Sequence, residues 1–159
     1  MSAERTIDFM REAVRLSAEE MRKGAGGPFG AIIVKDDRIV AQGWNRVTSA
    51  NDPTAHAEVT AIRNACDLLG TFSLAGCEIY SSCEPCPMCL AAIYWARLDR
   101  LYFANTREEA AAIGFDDAHI YDEVSKPIAD RLIPTTRLIL PEAVSVFAEW
   151  HAKTDKIAY

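Results

Sequence analysis

Two short stretches carry residues whose types and spacing can do chemistry: Thr54-Ala55-His56-Ala57-Glu58 and Glu84-Pro85-Cys86-Pro87-Met88-Cys89. Cys86 and Cys89 are three positions apart, so on a helix both sulfurs face one side of a single turn. Zinc takes thiolate and imidazole ligands in a tetrahedron, and two helix starts bearing His56, Cys86 and Cys89 can supply three of them. A helix N-terminus also favours the thiolate, because its free N–H groups and dipole stabilise negative charge. Three protein ligands leave the fourth position to water, whose pKa zinc lowers toward ~7. Glu58, two residues from His56, is turned from the ligand direction yet can stand beside that water and carry its proton to a leaving group. The competing reading is a closed structural site. Cys83 extends the run to Cys83-x-x-Cys86-x-x-Cys89, and a site of three cysteines and one histidine would have no use for Glu58. Against closure, Cys83 falls at an expected strand end, before Pro85 starts a helix. Cys66 and Cys77 read as small buried hydrophobes. His119 and His151 have no partner at metal spacing.

The elements that must position these residues follow from periodicity. Ile7, Met10, Val14, Ala18 and Met21 recur at helical steps, and the glycines from Gly24 to Gly30 end that first helix. AIIVK (31–35) and RIVAQG (38–43) read as strands joined by a tight turn at Asp36-Asp37. Residues 44–53 read as polar loop. A helix capped by Thr54, or by Asp52 with Pro53 at its first position, runs to about Leu69, with Val59, Ile62, Ala65 and Leu69 on one face. CEIYSS (77–82) is a strand, Pro85 opens a helix, and RLYFAN (100–105) is a strand. Residues 107–112 are helical, 115–124 hold a loop and a short helix, TRLIL (136–140) is a last strand, and Pro141 starts a final amphipathic helix. Alternating strands and helices make a three-layer α/β/α sandwich, and the opening hairpin makes its five-stranded sheet mixed.

The chain has 159 residues, half of them hydrophobic and a quarter charged, so one domain with an ordinary core is expected. No apolar run reaches the ~20 residues of a membrane span, and the charged, amphipathic MSAERTIDFMREAV has no apolar stretch of a secretory signal. Net charge is −6 and the pI about 5.1, and this acidity weighs against phosphate binding, which normally uses a basic face. Five cysteines, an odd number, point to reduced thiols in a cytoplasmic setting.

His56-Ala57-Glu58 with Pro85-Cys86-Pro87-Met88-Cys89 is the H-x-E and P-C-x-x-C pattern of zinc-dependent nucleobase deaminases. The chain thus resembles the cytidine deaminase superfamily. Gly27-Pro28-Phe29-Gly30, Trp44-Asn45, the run 51–58, Cys86 to Leu90 and Tyr94-Trp95-Ala96-Arg97 are similar to the bacterial guanine deaminases. Related tRNA adenosine deaminases share the first two thirds of that pattern. The last third separates them: Ile113-Gly114-Phe115-Asp116-Asp117 and a C-terminus ending at Tyr159 resemble the guanine enzymes. Residues 126–159 carry five Lys or Arg against four Asp or Glu, which is no basic tail.

The resemblance implies a cytidine deaminase-like fold and conversion of guanine to xanthine and ammonia. It implies one zinc ion per subunit on His56, Cys86 and Cys89, with Glu58 as proton shuttle. Asn45 and the backbone N–H of Ala57 would hydrogen-bond the purine, Asp117 would accept from ring N–H groups, Tyr159 would close the pocket, and Phe29 and Trp95 would wall it. It also implies residues 1–159 as one deaminase domain in a homodimer that exchanges the C-terminal segment, about 126–159. The partners expected are a small purine base and a second copy of the chain, with neither membrane nor nucleic acid. Guanosine, adenine or tRNA adenosine as substrate, and a non-catalytic zinc-stabilised binding module, are the alternatives.

Overall fold

Ala31, Ile32, Ile33 and Val34 are all buried, because strand β1 (Gly30–Lys35) lies inside the sheet with both faces covered. In the computed structural model, which describes residues 3–158, β1 pairs antiparallel with β2 (Arg38–Trp44) on one side and with β3 (Cys77–Cys83) on the other. Strand β4 (Arg100–Asn105) adds to β3 in parallel, giving the order β2-β1-β3-β4. The β1–β2 turn puts Asp36 at φ 47° and Asp37 at φ 59°, the left-handed pair that matches the twist of a two-residue hairpin.

Successive side chains of a strand point to opposite faces, and this sorts the core in two. Ile32, Val34 and Tyr80 pack with Phe9, Ala13 and Leu16 of helix α1 (Ala3–Arg22). Ala31, Ile33 and Ile79 pack with Ala57, Ala61 and Ala65 of helix α3 (Ala57–Leu69) and with Ile93 of helix α4 (Pro87–Trp95). Helices on both faces of a mixed sheet make the expected α/β/α layering. Among the described residues, no helix is long and apolar enough to cross a membrane.

Two close approaches set the helix positions. A Cβ on Gly30 would stand 2.5 Å from the Ala13 carbonyl of α1, and one on Gly43 would stand 2.3 Å from the Ala57 carbonyl and the Ala61 nitrogen of α3. Glycine in the sheet and alanines at every fourth position of α3 therefore let that helix lie directly on β2. The start of α3, where His56 stands, is fixed by this contact.

The structure corrects several expectations. The buried stripe of α1 is Phe9, Ala13 and Leu16, while Ile7, Val14 and Met21 are exposed. Ile7, Val14 and Met21 form a second apolar stripe on the opposite side of the helix, since at about 100° per residue they fall well over 90° from the buried one. The segment read as loop after Trp44 contains a one-turn helix α2 (Val47–Ala50), closed by Asn51 in the left-handed region. Neither Thr54 nor Asp52 caps α3. The Asp52 carboxylate instead accepts from the Thr54 N–H and hydroxyl, at 2.8 and 2.7 Å, forming its own turn.

The chain divides after Ala118 into two units. The first ends with helix α5 (Arg107–Ala112), whose Thr106–Glu109 capping box closes its N-terminus. The second unit holds most of helix α6 (Ala118–Ser125), a short 3-10 turn (Ile128–Asp130) and helix α7 (Pro141–Ala152). Residues 136–140 are not a strand, so the sheet has four strands and not five. A strand is defined by its ladder, and the second unit contains no other strand among its described residues to complete one. Leu138, Ile139 and Leu140 are all exposed.

Candidate metal centre

His56 and Cys86 are both N-cap residues, one of α3 and one of α4, each with extended backbone (φ −71°, ψ 160° and φ −64°, ψ 168°). Neither side chain folds back to cap its own helix. The extended N-cap conformation turns both outward to a common point, and Pro87 at the first position of α4 needs no acceptor for the N–H it lacks. Cys89 follows one turn into α4 and is fully buried.

His56 Nδ1 lies 3.5 Å from Cys86 Sγ and 3.4 Å from Cys89 Sγ. Zn–S of ~2.3 Å and Zn–N of ~2.05 Å at the tetrahedral angle require an N···S separation of about 3.5 Å. Both nitrogen–sulfur separations therefore suit one zinc ion. All three ligand atoms lie within 4.8 Å of one another. Cys83 is not a fourth member of this group. Its thiol reaches the Thr106 carbonyl at 3.6 Å, and burial pushes its pKa up to about 11. Cys86, by contrast, is held down to about 4, by the hydrogen bond from Cys89 and then by His56. The same bond and burial push Cys89 up.

Glu58 stands in the first turn of α3, only 6% exposed. Burial raises its pKa above the ordinary carboxylate value. Its Oε1 accepts a hydrogen bond from the Ser81 hydroxyl of β3 at 3.1 Å.

These groups open on one cavity of about 470 Å³, within the usual ~300–1,000 Å³ of small-molecule sites. His56, Glu58 and Cys86 line it together with Phe29, Asn45 and Asp117. Asn45 has one consistent amide orientation, since two backbone donors can only meet oxygen. Its Oδ1 accepts from the N–H of Gly27 and of Val47, each at 3.2 Å. The Nδ2 hydrogens remain as donors. Burial, then the neighbouring Cys86, raises the pKa of Asp117. Phe29 meets Phe115 edge-to-face, with centroids 4.8 Å apart at 89°.

The remaining expected residues differ in where they stand. The Ala57 side chain is fully buried, and its backbone lies between two lining residues. Its N–H is the first of α3 and has no acceptor within the helix. Trp95 does not line the cavity; it is 62% exposed at the far end of α4, with the Arg97 guanidinium 5.8 Å above its ring. Cys86 caps the start of that helix and Trp95 is its last residue, beyond the turn that carries Cys89. Tyr159 lies outside the described residues. The wall that sequence reasoning missed is Phe115, whose only signal was its place beside Gly114, Asp116 and Asp117.

Residues 3–105 match the family described as the cytidine and deoxycytidylate deaminase zinc-binding region. Over 151 residues the chain is 52% identical to guanine deaminase of Bacillus subtilis, covering 95% of this chain and 97% of the relative. The crystal structure of that Bacillus subtilis guanine deaminase superposes with a TM-score of 0.95, at 51% identity, covering 100% and 99% of the two chains. A tRNA-specific adenosine deaminase of Aquifex aeolicus is 32% identical over 145 residues, 91% of this chain and 93% of its own. The structure of a guanine deaminase from Nitrosomonas europaea aligns with a TM-score of 0.67 and 32% identity, over 74% of this chain and 66% of that one.

Proposed function

The chain belongs to the cytidine and deoxycytidylate deaminase family, and from that premise we propose that it is a zinc-dependent enzyme that hydrolyses guanine to xanthine and ammonia. The observation that carries the choice of guanine is the difference between relatives matched over nearly equal lengths. Identity is 52% to the Bacillus subtilis guanine deaminase and 32% to the Aquifex aeolicus tRNA enzyme.

His56, Cys86 and Cys89 would hold the ion, since their spacing suits a tetrahedron and leaves one position for water. Zinc bound there supplies a Lewis acid that lowers the pKa of water toward ~7 and so provides a nucleophile at neutral pH. Glu58 moves protons: its carboxylate takes one from water, delivers it to the ring nitrogen beside C2, and delivers the next to the departing amine. Addition of water at C2 and loss of ammonia convert guanine to xanthine.

The purine edges are read by groups of opposite character. Asn45 Nδ2 donates to a ring or carbonyl acceptor, the Ala57 N–H donates likewise, and Asp117 accepts from ring N–H groups. Phe29 stacks on the base and is braced at right angles by Phe115. A closed, non-catalytic site would need a fourth protein ligand, and Cys83 is engaged with the Thr106 carbonyl.

We read residues 1–159 as one deaminase domain that works as a homodimer, with the segment of about 126–159 exchanged and Tyr159 closing the partner's pocket. Leu132, Ile133, Leu138, Ile139 and Phe147 are each more than three-quarters exposed, a large apolar surface of the kind another chain covers. All five cysteines are free thiols, which suits the cytoplasm, where the reaction serves purine breakdown.

The test is ammonia release from guanine, guanosine, adenine and a tRNA anticodon stem, using purified protein of measured zinc content. Guanine is expected to be the preferred substrate. Turnover of the tRNA adenosine with none of guanine refutes the reading. Glu58→Gln should keep zinc and lose roughly 10²–10⁴-fold in rate, the usual worth of a positioned acid–base group. Deleting Tyr159 should abolish turnover with zinc content intact, and light scattering of the parent should give the dimer mass.

A further inference from the structure

Glu58 must present one carboxylate oxygen to the reacting atoms in two successive proton transfers, and a glutamate side chain is poorly suited to this alone. It has three side-chain torsions, the last of them broad. Something rigid has to hold the other oxygen.

Ser81 meets that requirement. It is 2% exposed, in the middle of β3, paired to Ala31 of β1 on one side and Phe103 of β4 on the other. A residue bound into a ladder on both sides has little freedom. Strand alternation puts Ser81 on the same face as Ile79, which packs under α3 and α4, whereas Tyr80 packs toward α1. A buried hydroxyl on this apolar face costs stability unless it is paired, and its partner is Glu58 Oε1 at 3.1 Å. The backbone N–H of Glu58 itself and Cys89 also neighbour the carboxyl, but that N–H belongs to the residue it would have to restrain, and a thiolate ligand has no proton to donate. A serine hydroxyl both donates and accepts, so it can stay bonded to Oε1 while the carboxyl gains and loses its proton.

We infer that Ser81 is a positioning residue for the deamination: its hydroxyl occupies Oε1 of Glu58 and so directs proton traffic through Oε2. The inference rests on the guanine deaminase reading above. It predicts a defect in turnover with no defect in purine or zinc binding.

The zinc-loaded full chain is compared with Ser81→Ala, Ser81→Thr and Ser82→Ala. Ser82 is the structural control: its oxygen is also buried and accepts from the Gly30 N–H at 3.0 Å, with no contact to Glu58 among the described hydrogen bonds. Ser81→Ala is expected to lower kcat roughly 10- to 100-fold, the scale of a misplaced reacting group. KM for guanine and Kd for xanthine should stay within about twofold, with zinc content unchanged. Ser81→Thr restores most of kcat, and Ser82→Ala keeps it.

A Ser81→Ala enzyme within twofold of the parent kcat overturns the inference. So do weakened xanthine binding or zinc loss in proportion to the lost rate, and a folded Ser81→Thr as slow as the alanine variant. Crystals of zinc-loaded Ser81→Ala read the positioning without reference to the substrate. Glu58 spread over more than one orientation supports it, even if the parent does not act on guanine, and a carboxylate unmoved from that of the parent overturns it.

Discussion

Asn45 does two jobs with the two ends of one amide, and two substitutions separate them. Its oxygen accepts from Gly27 and Val47, each at 3.2 Å, and so ties the Gly27–Phe29 segment to the start of α2. Its nitrogen is left to donate to the purine in the proposed function. Asn45→Ala removes both accepted bonds from a site only 6% exposed. At ~0.5–1.5 kcal/mol each, the loss is about 1–3 kcal/mol. A chain of this size loses ~2–4 °C of melting temperature per kcal/mol, so Tm should fall about 2–12 °C.

Asn45→Asp has nearly the same shape and keeps an oxygen for both N–H groups. It replaces the donor with a second oxygen facing the purine acceptor. The lost bond and an unfavourable oxygen–oxygen approach together cost roughly 2–3 kcal/mol, or about 30- to 150-fold in kcat/KM. Thermal melting and steady-state kinetics on guanine measure both quantities. An aspartate variant with the parental kcat/KM refutes the donor role, and an alanine variant with the parental Tm refutes the structural one.

Cys83→Ser should retain zinc, because the Cys83 thiol bonds the Thr106 carbonyl and lies outside the ligand group, whereas Cys86→Ser should lose it; metal analysis after dialysis distinguishes them. A thiol pushed up to about 11 is only roughly one part in a thousand thiolate at pH 8. Cys83 should therefore resist iodoacetamide at pH 8 and react progressively faster as pH rises toward 11, as peptide mass mapping would show. Gly43→Ala would press its methyl against the Ala57 carbonyl and Ala61 nitrogen. Backbone atoms cannot swing aside, so we expect about 1–3 kcal/mol of destabilisation. Zinc affinity measured by chelator competition should weaken too, since the shift moves His56.

The fold was legible where one physical constraint dominated. The run 31–34 is apolar on every residue because both faces of β1 are covered, and Asp36-Asp37 is a turn because Asp tolerates the left-handed region. Legibility failed where two patterns competed. Helix α1 carries two apolar stripes, and nothing local says that Phe9, Ala13 and Leu16 meet the sheet while Ile7, Val14 and Met21 do not. Residues 136–140 have β-forming composition, yet strand formation is decided by a neighbour to pair with. Trp95 shares a motif with the site, and where its ring falls is decided by α4, which carries it to the end opposite Cys86.

Sequence alone supplied the candidate donor set. Cys86 and Cys89 lie one helical turn apart by chain connectivity, and the types of His56 and Glu58 state the chemistry before any fold is known. Tertiary structure decided everything that depends on non-local distance. The missing Cβ of Gly43 lets α3 settle on β2 and brings His56 within 3.5 Å of two sulfurs some thirty residues away. The central strand places Ser81 under Glu58, and backbone donors from Gly27 and Val47 orient Asn45. Residue type carries chemical potential, but hydrogen bonds and coordination act only over about 3 Å, and only close packing supplies that proximity.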